Sequence, residues 1–254
     1  MKPEPFTFQD SRSTAWTGML SSPDVPTEKV VILGHGFLSH QHSRTNRRLT
    51  DHLVSQKIAT LRFNWDGMGD SPSRFADITV GKCCHQLEEA IAALHASHYA
   101  RIGVIGSSFG GLITTLVGGN NPSIHAIGLK CPVVDFPTIL RNRLGEQGMD
   151  QWRKTNTIPN PRKGLDPIPL NFFFLEECTR YNALMAATHI QAPTRIVHGD
   201  QDETVPLEQA QSLFQSIQTQ KDLATMKGAN HQFDQPEDFE NMTMLLTQWI
   251  KEHL

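Results

Sequence analysis

Ile102-Gly103-Val104-Ile105-Gly106-Ser107-Ser108-Phe109-Gly110-Gly111-Leu112 runs from an apolar, β-like stretch straight into a serine flanked by glycines. A helix-like stretch, Leu112 to Val117, follows it. This is G-x-S-x-G in the strand–turn–helix setting that gives the pattern its meaning. The reason is steric. A side chain lifted clear of a sheet on so tight a turn needs neighbours without a Cβ, and glycine tolerates the strained dihedrals. Ser108 sits at the centre of the pattern, at a helix N-terminus, where backbone N–H groups favour developing negative charge.

Reading outward, similar apolar runs recur at Val30–Leu33, Ile58–Phe63, Ile124–Leu129, Thr194–Val197 and Leu223–Met226. Each is short and nearly all apolar, as expected of strands buried on both faces. Between them lie amphipathic patterns. Val80, Cys84, Leu87, Ile91 and Leu94 share one helical face; so do Ala210, Leu213, Phe214 and Ile217, and Phe239, Met242, Leu246, Trp249 and Ile250. Strands alternating with helices predict an α/β fold, a mostly parallel central sheet with helices on both faces. Phe6–Phe8 and Ala15–Leu20 are expected to add antiparallel strands at one edge. Residues 136–180 break the rhythm with five prolines and Phe172-Phe173-Phe174. The segment is too long for a simple connection and reads as a cap inserted into a single domain spanning 1–254.

Composition narrows the function. The chain has 254 residues, with 23 Lys+Arg against 26 Asp+Glu, a formal net charge of −3. That balance argues against a nucleic-acid footprint, which would be a basic stripe. Arg44, Arg47 and Arg48 form the one tight basic cluster and read as a solvated helix start. No apolar run reaches membrane-spanning length. Met1–Pro5 lacks the apolar core of a signal peptide. The four cysteines, Cys83, Cys84, Cys131 and Cys178, are few, and two are adjacent, so a disulfide framework is not expected. A reducing cytoplasm is the expected compartment. His40-x-His42 and His95-x-x-His98 lack supporting Cys or carboxylate clusters and read as surface histidines, so no metal is expected. Gly67-x-Gly69 lacks the third glycine of a dinucleotide fingerprint.

A serine hydroxyl needs a base, an orienting acid and oxyanion donors. Three further loops offer these groups, each just past a strand. Asp200 and Asp202 both follow the Thr194–Val197 run. His231 follows Leu223–Met226. Gly34-His35-Gly36-Phe37 follows Val30–Leu33, where its amides are placed to meet that of Phe109. The chain order is Ser…Asp…His.

These stretches, with Leu61–Ser71, His198–Pro206 and Gly228–His231, resemble those of the α/β-hydrolases. The similarity is to the small feruloyl (cinnamoyl) esterase-like and serine-aminopeptidase-like members in particular. The resemblance implies Ser108 as nucleophile, Asp202 rather than Asp200 as acid, and His231 as base. It implies an oxyanion hole from the backbone N–H groups of Phe37 and Phe109, and no cofactor. Its members usually carry His before the nucleophile and often Gln after it, where this chain has Ser107 and Phe109. The expected activity is cleavage of a small-molecule carboxylic ester, with an aromatic or short acyl group, through an acyl-enzyme. Phe172, Phe173 and Phe174 are candidate substrate contacts, with packing of the cap on the core as the competing reading. A thioesterase, an aminopeptidase-like hydrolase and a non-catalytic binding protein of the same fold are the alternatives.

Overall fold

The computed structural model describes residues 3–161 and 164–254. Its strands and helices run in the order β1 (Glu4–Gln9), β2 (Ala15–Ser21), β3 (Lys29–Gly34), α1 (Arg44–Ser55), β4 (Ala59–Arg62), α2 (Val80–Ala96), β5 (Arg101–Ser107), α3 (Phe109–Gly118) and β6 (Ile124–Lys130). Then come α4 (Phe136–Thr155), β7 (Thr157–Ile158), β8 (Ile168–Pro169), α5 (Phe173–Cys178), α6 (Ala183–Ala187), β9 (Thr194–Gly199), α7 (Leu207–Ser216), β10 (Lys221–Met226) and α8 (Pro236–His253).

Eight strands form one sheet in the order β1-β2-β4-β3-β5-β6-β9-β10. The β1–β2 and β2–β4 pairs are antiparallel, and the other five pairs are parallel. The expected fold class holds, and the two N-terminal strands lie at one edge as predicted.

The pleat sorts the core. Val30 and Ile32 join one apolar cluster with Leu87, Ile91 and Leu94 of α2. Val31 and Leu33 join the opposite cluster with Leu49 and Leu53 of α1 and with Met242, Leu246 and Ile250 of α8. Alternate side chains of a strand face opposite sides, so a strand covered twice must be apolar throughout. At about 25 cal/mol per Å² of apolar surface removed from water, this two-sided burial is the main force holding the sheet between its helices.

Two of the longer helices lack a clean apolar period in the sequence, although Arg44, Arg47 and Arg48 mark the start of the first. Helix α1 buries Asn46 and Thr50 beside Leu49 and Leu53. Asn46 donates to Leu33 O at 3.2 Å, so its core face carries a polar group with a partner. Arg48 does not merely meet water: it makes a two-pronged contact with Glu240 of α8 at 2.9 and 2.6 Å. Helix α4 starts on Pro137 at its first turn, with Asp135 as cap, and is broken at Gly145 (φ 64°, ψ 176°).

Residues 136–180 lie between β6 and β9 in the chain and carry α4, the short β7–β8 pair and α5. Glu177 of α5, 6% exposed, accepts hydrogen bonds from Val80 N at 2.8 Å and Gly81 N at 2.9 Å. A carboxylate at a helix N-terminus satisfies orphan N–H groups and complements the dipole. One side chain therefore ties this segment to the start of α2. All four cysteines are unpaired.

Candidate active site

Ser108 stands between β5 and α3 with φ 53° and ψ −113°, a region L-residues rarely occupy. Strain of this kind costs of order 1–3 kcal/mol and persists only where the surroundings enforce it. They do so here. Ser108 N donates to Lys130 O at 2.8 Å, and Ser108 O accepts from Gly111, Leu112 and Val133 N–H groups. Gly110 is required by close approach: a Cβ there would lie 2.5 Å from Gly34 O and 2.7 Å from His35 O. The β3 loop thus rests on the start of α3. A Cβ on Gly36 would lie 3.4 Å from Ser108 Cβ and 4.0 Å from its Oγ, which places that loop beside the serine.

The loop is fixed by His35. Its Nδ1–H donates to Gly36 O at 2.8 Å, and its Nε2 accepts from Trp65 N at 3.2 Å. Burial pushes this imidazole down to about 4, only partly offset by the Gly36 bond, so it stays neutral and serves as a strut. The Phe37 ring packs on those of Phe109, Phe136 and Phe174 at centroid distances of 5.7, 5.1 and 5.5 Å. Among the described residues no acceptor meets the backbone N–H of Phe37 or of Phe109. Unpaired buried N–H groups are rare.

Asp202 and His231 are brought together. His231 Nδ1–H donates to Asp202 Oδ2 at 2.7 Å. The Asp202 side chain is fully buried and accepts three more hydrogen bonds or close contacts. Its Oδ1 accepts from Thr204 N at 2.9 Å and Val205 N at 2.7 Å, and His198 Nε2 lies 3.3 Å from Oδ2. Burial alone would raise this carboxyl. The His198 and His231 contacts outweigh it and hold Asp202 well below the usual carboxylate range. Asp200 points elsewhere: it is exposed and accepts from Gly228 N at 2.7 Å.

The His231 peptide is gripped at both ends. Its N–H reaches Glu203 Oε2 at 3.3 Å, and its carbonyl accepts from Lys130 Nζ at 2.6 Å. Ser108 and His231 line the same two cavities without a direct hydrogen bond between them. The larger, about 680 Å³, lies against the first half of α4 and the Glu203–Pro206 loop. The smaller, about 230 Å³, lies against the first turn of α1.

Neither cavity is lined by Phe172, Phe173 or Phe174. Phe174 is 1% exposed and packs behind Phe37, Phe172 packs on Trp152 at 5.2 Å, and Phe173 is 48% exposed. Lys130, Glu203 and His198 are site residues that no sequence motif assigns. For His198 a signal existed, since it opens the stretch that contains Asp202. Cys131, Asp202 and His231 offer ligand atoms within 4.8 Å of one another. The chemistry of the trio is that of a hydrogen-bonded pair beside a protonated thiol. The nitrogen and oxygen already bond each other, and burial pushes Cys131 up to about 12.

A serine on a strained strand-to-helix turn, facing an Asp-supported histidine from later loops of a parallel sheet, defines an α/β-hydrolase. Residues 79–254 match the prolyl oligopeptidase family (Peptidase_S9), and the chain belongs to that hydrolase family. A curated relative, palmitoyl-protein thioesterase ABHD10, mitochondrial, of Bos taurus, is 21% identical over 87% of this chain and 76% of its own length. Est1E from Butyrivibrio proteoclasticus, solved with ferulic acid bound, shares the fold with a TM-score of 0.82 at 24% identity, over 97% of this chain and 98% of that one. The esterase domain of a Rhodothermus marinus protein does so with a TM-score of 0.75 at 22% identity, over 100% and 99%.

Proposed function

We propose that the protein hydrolyses carboxylic esters through an acyl-enzyme on Ser108. The observation that carries the reading is the 2.7 Å contact of His231 Nδ1–H with a fully buried, ionised Asp202, on a loop that shares its cavities with Ser108. With Nδ1 protonated and bound, Nε2 is the basic nitrogen. It takes the Ser108 proton as Oγ adds to the ester carbonyl. The oxyanion of the tetrahedral intermediate sits against the N–H groups of Phe37 and Phe109, which have no other acceptor among the described residues. Collapse breaks the bond to the leaving oxygen, which receives the proton from His231. Water then enters and gives its proton to Nε2 as its oxygen adds to the acyl carbon; His231 returns the proton to Ser108 Oγ as the acyl–oxygen bond breaks and the acid leaves. Shared cavity walls without a formed Ser108–His231 bond suit this scheme, because such bonds often tighten only with substrate present.

Residues 136–180 act here as a cap: Phe136, Ile139 and Leu140 of α4 wall the larger cavity and select the acyl group. The relatives' names favour a second reading, a thioester in place of the oxygen ester, which needs no change in the residues invoked. The unpaired thiols suit a reducing compartment such as the cytoplasm, while the relatives' name places those proteins in mitochondria. Among the described residues no helix is long and apolar enough to cross a membrane.

A fluorophosphonate probe tests the reading. The wild-type protein should be labelled and Ser108→Ala should not. A folded wild-type protein that resists the probe and cleaves neither ester nor thioester would instead be a binding protein.

A further inference from the structure

The smaller cavity beside Ser108 has a composition the hydrolytic scheme does not use. We infer that it is a subsite for an anionic group, a carboxylate or phosphate, on the leaving-group side of the substrate. The inference rests on the ester-hydrolase reading above and names its substrate class.

Lys130 is the first observation. It is 4% exposed and lines this cavity. Its ammonium donates to His231 O and lies 5.2 Å from the centre of the Phe233 ring. Among the described residues no carboxylate pairs with it within 4.0 Å. A buried ammonium is costly unless an anion balances it. The second observation is Ser107, which is 8% exposed, lines the same cavity and has a hydroxyl without a hydrogen-bond partner. This is the position where the resemblance leads one to expect histidine; the smaller serine leaves a buried hydroxyl that no protein group meets among the described residues. The third is α1, whose N-terminal residues Ser43, Arg44 and Thr45 form another wall. The N-terminus of this 12-residue helix favours anions. Arg44 is held there by Phe233 O at 3.3 Å and by the Phe239 ring at 3.6 Å.

One charge opposes the assignment. Asp234 also lines the cavity, but it is exposed and its carboxylate is engaged by Asn230 Nδ2 at 2.8 Å. Two cations, a helix N-terminus and an unpartnered hydroxyl outweigh it. The leaving side is assigned because the larger cavity is walled by Val133, Phe136, Ile139 and Val205, which suits an acyl chain. His231, which must hand its proton to the leaving oxygen, lines the smaller one too.

The test is a matched pair, 4-acetoxybenzoate and its methyl ester, with rates corrected for alkaline hydrolysis. They share an acetyl group and differ in the charge of the leaving phenol. The wild-type enzyme should favour the carboxylate in kcat/KM by at least about tenfold, the scale of one charge-assisted hydrogen bond. That ratio should fall about tenfold in Lys130→Met, return in part in Lys130→Arg, and fall several-fold in Ser107→Ala. A wild-type ratio of one or less overturns the subsite, as does a ratio that neither Lys130→Met nor Ser107→Ala moves. A stronger preference for a carboxylate on the acyl side, phenyl succinate over phenyl butyrate, overturns the assignment to the leaving side. If Lys130→Met does not fold, Ser107→Ala decides. If the wild-type enzyme cleaves no ester, the hydrolytic reading fails by itself. Calorimetry with 4-hydroxybenzoate then decides the subsite: binding weakened about tenfold by Ser107→Ala supports it, and no binding or unchanged binding overturns it.

Discussion

Two carboxylates two positions apart illustrate how little a residue type means without its surroundings. Asp200 and Asp202 share a loop, yet one accepts a turn amide in solvent and the other is buried against two imidazoles. Asp202→Asn should lower kcat for ester cleavage by about 10³–10⁴, because the amide supports the wrong imidazole tautomer. Asp200→Asn should change it by less than tenfold; the reverse ranking in steady-state assays would sink the assignment. Asp202 also bears on acid stability. Its carboxyl is held below its ordinary value, so its ionisation stabilises the fold fully above about pH 4 and is lost progressively as pH falls below that. His35 works at higher pH. Its imidazole is depressed from 6.5 to about 4, so the folded state resists a proton that the unfolded chain accepts. Stability should therefore drop as pH falls from about 6.5 to about 4, by up to about 3 kcal/mol from this one group. Urea denaturation of His35→Gln should show a flatter dependence across that window; an unchanged slope would remove His35 as the cause.

At the level of elements, the strands were legible because a strand covered on both faces must be written in apolar residues, and β3, β5, β6 and β9 are. The same logic exposed α2, α7 and α8. Helix α1 showed only its start, at Arg44–Arg48, because its inward face mixes Asn46 and Thr50 with Leu49 and Leu53, and such a face has no clean period. Helix α4 stayed hidden because the prolines of 136–180, Pro137 among them, read as a break in the rhythm, and Gly145 and Gly148 interrupt its apolar period. The break at Gly145 has a use: it frees the cavity-lining half of α4 from the direction of the rest. Gly145→Ala meets no steric obstacle, since nothing lies within 4 Å of the added carbon, so its effect isolates the backbone term. It should destabilise by about 1–3 kcal/mol through the disfavoured dihedrals. An unchanged denaturation midpoint would mean the kink relaxes freely.

Across the whole molecule, the candidate site assembles from the ends of β3, β5, β6, β9 and β10, and this was only partly readable. Ser108, Asp202 and His231 each announce themselves by a local pattern after a strand. Lys130 does not, because its partner, the His231 carbonyl, is 101 residues away. Ser107 was noticed as a departure, but its unpartnered hydroxyl is a property of the packed protein alone. Glu177 is likewise mute in sequence, yet its hydrogen bonds tie residues 136–180 to α2. Glu177→Gln should cost about 1–3 kcal/mol, the range for leaving a buried N–H group without its acceptor. It should also broaden the range of esters accepted if the segment closes over the cavity. Calorimetry and an ester panel would check both, and an unmoved Tm would deny the tie. The cysteines carry a last consequence. Cys83 and Cys131 are sealed inside the two apolar layers, one in each, and burial holds their thiols in the protonated, unreactive form. Each sulfur therefore acts as a tamper seal on its own layer. Alkylating reagents reach it only when that layer parts, so the order in which the seals break would chart how the molecule comes undone.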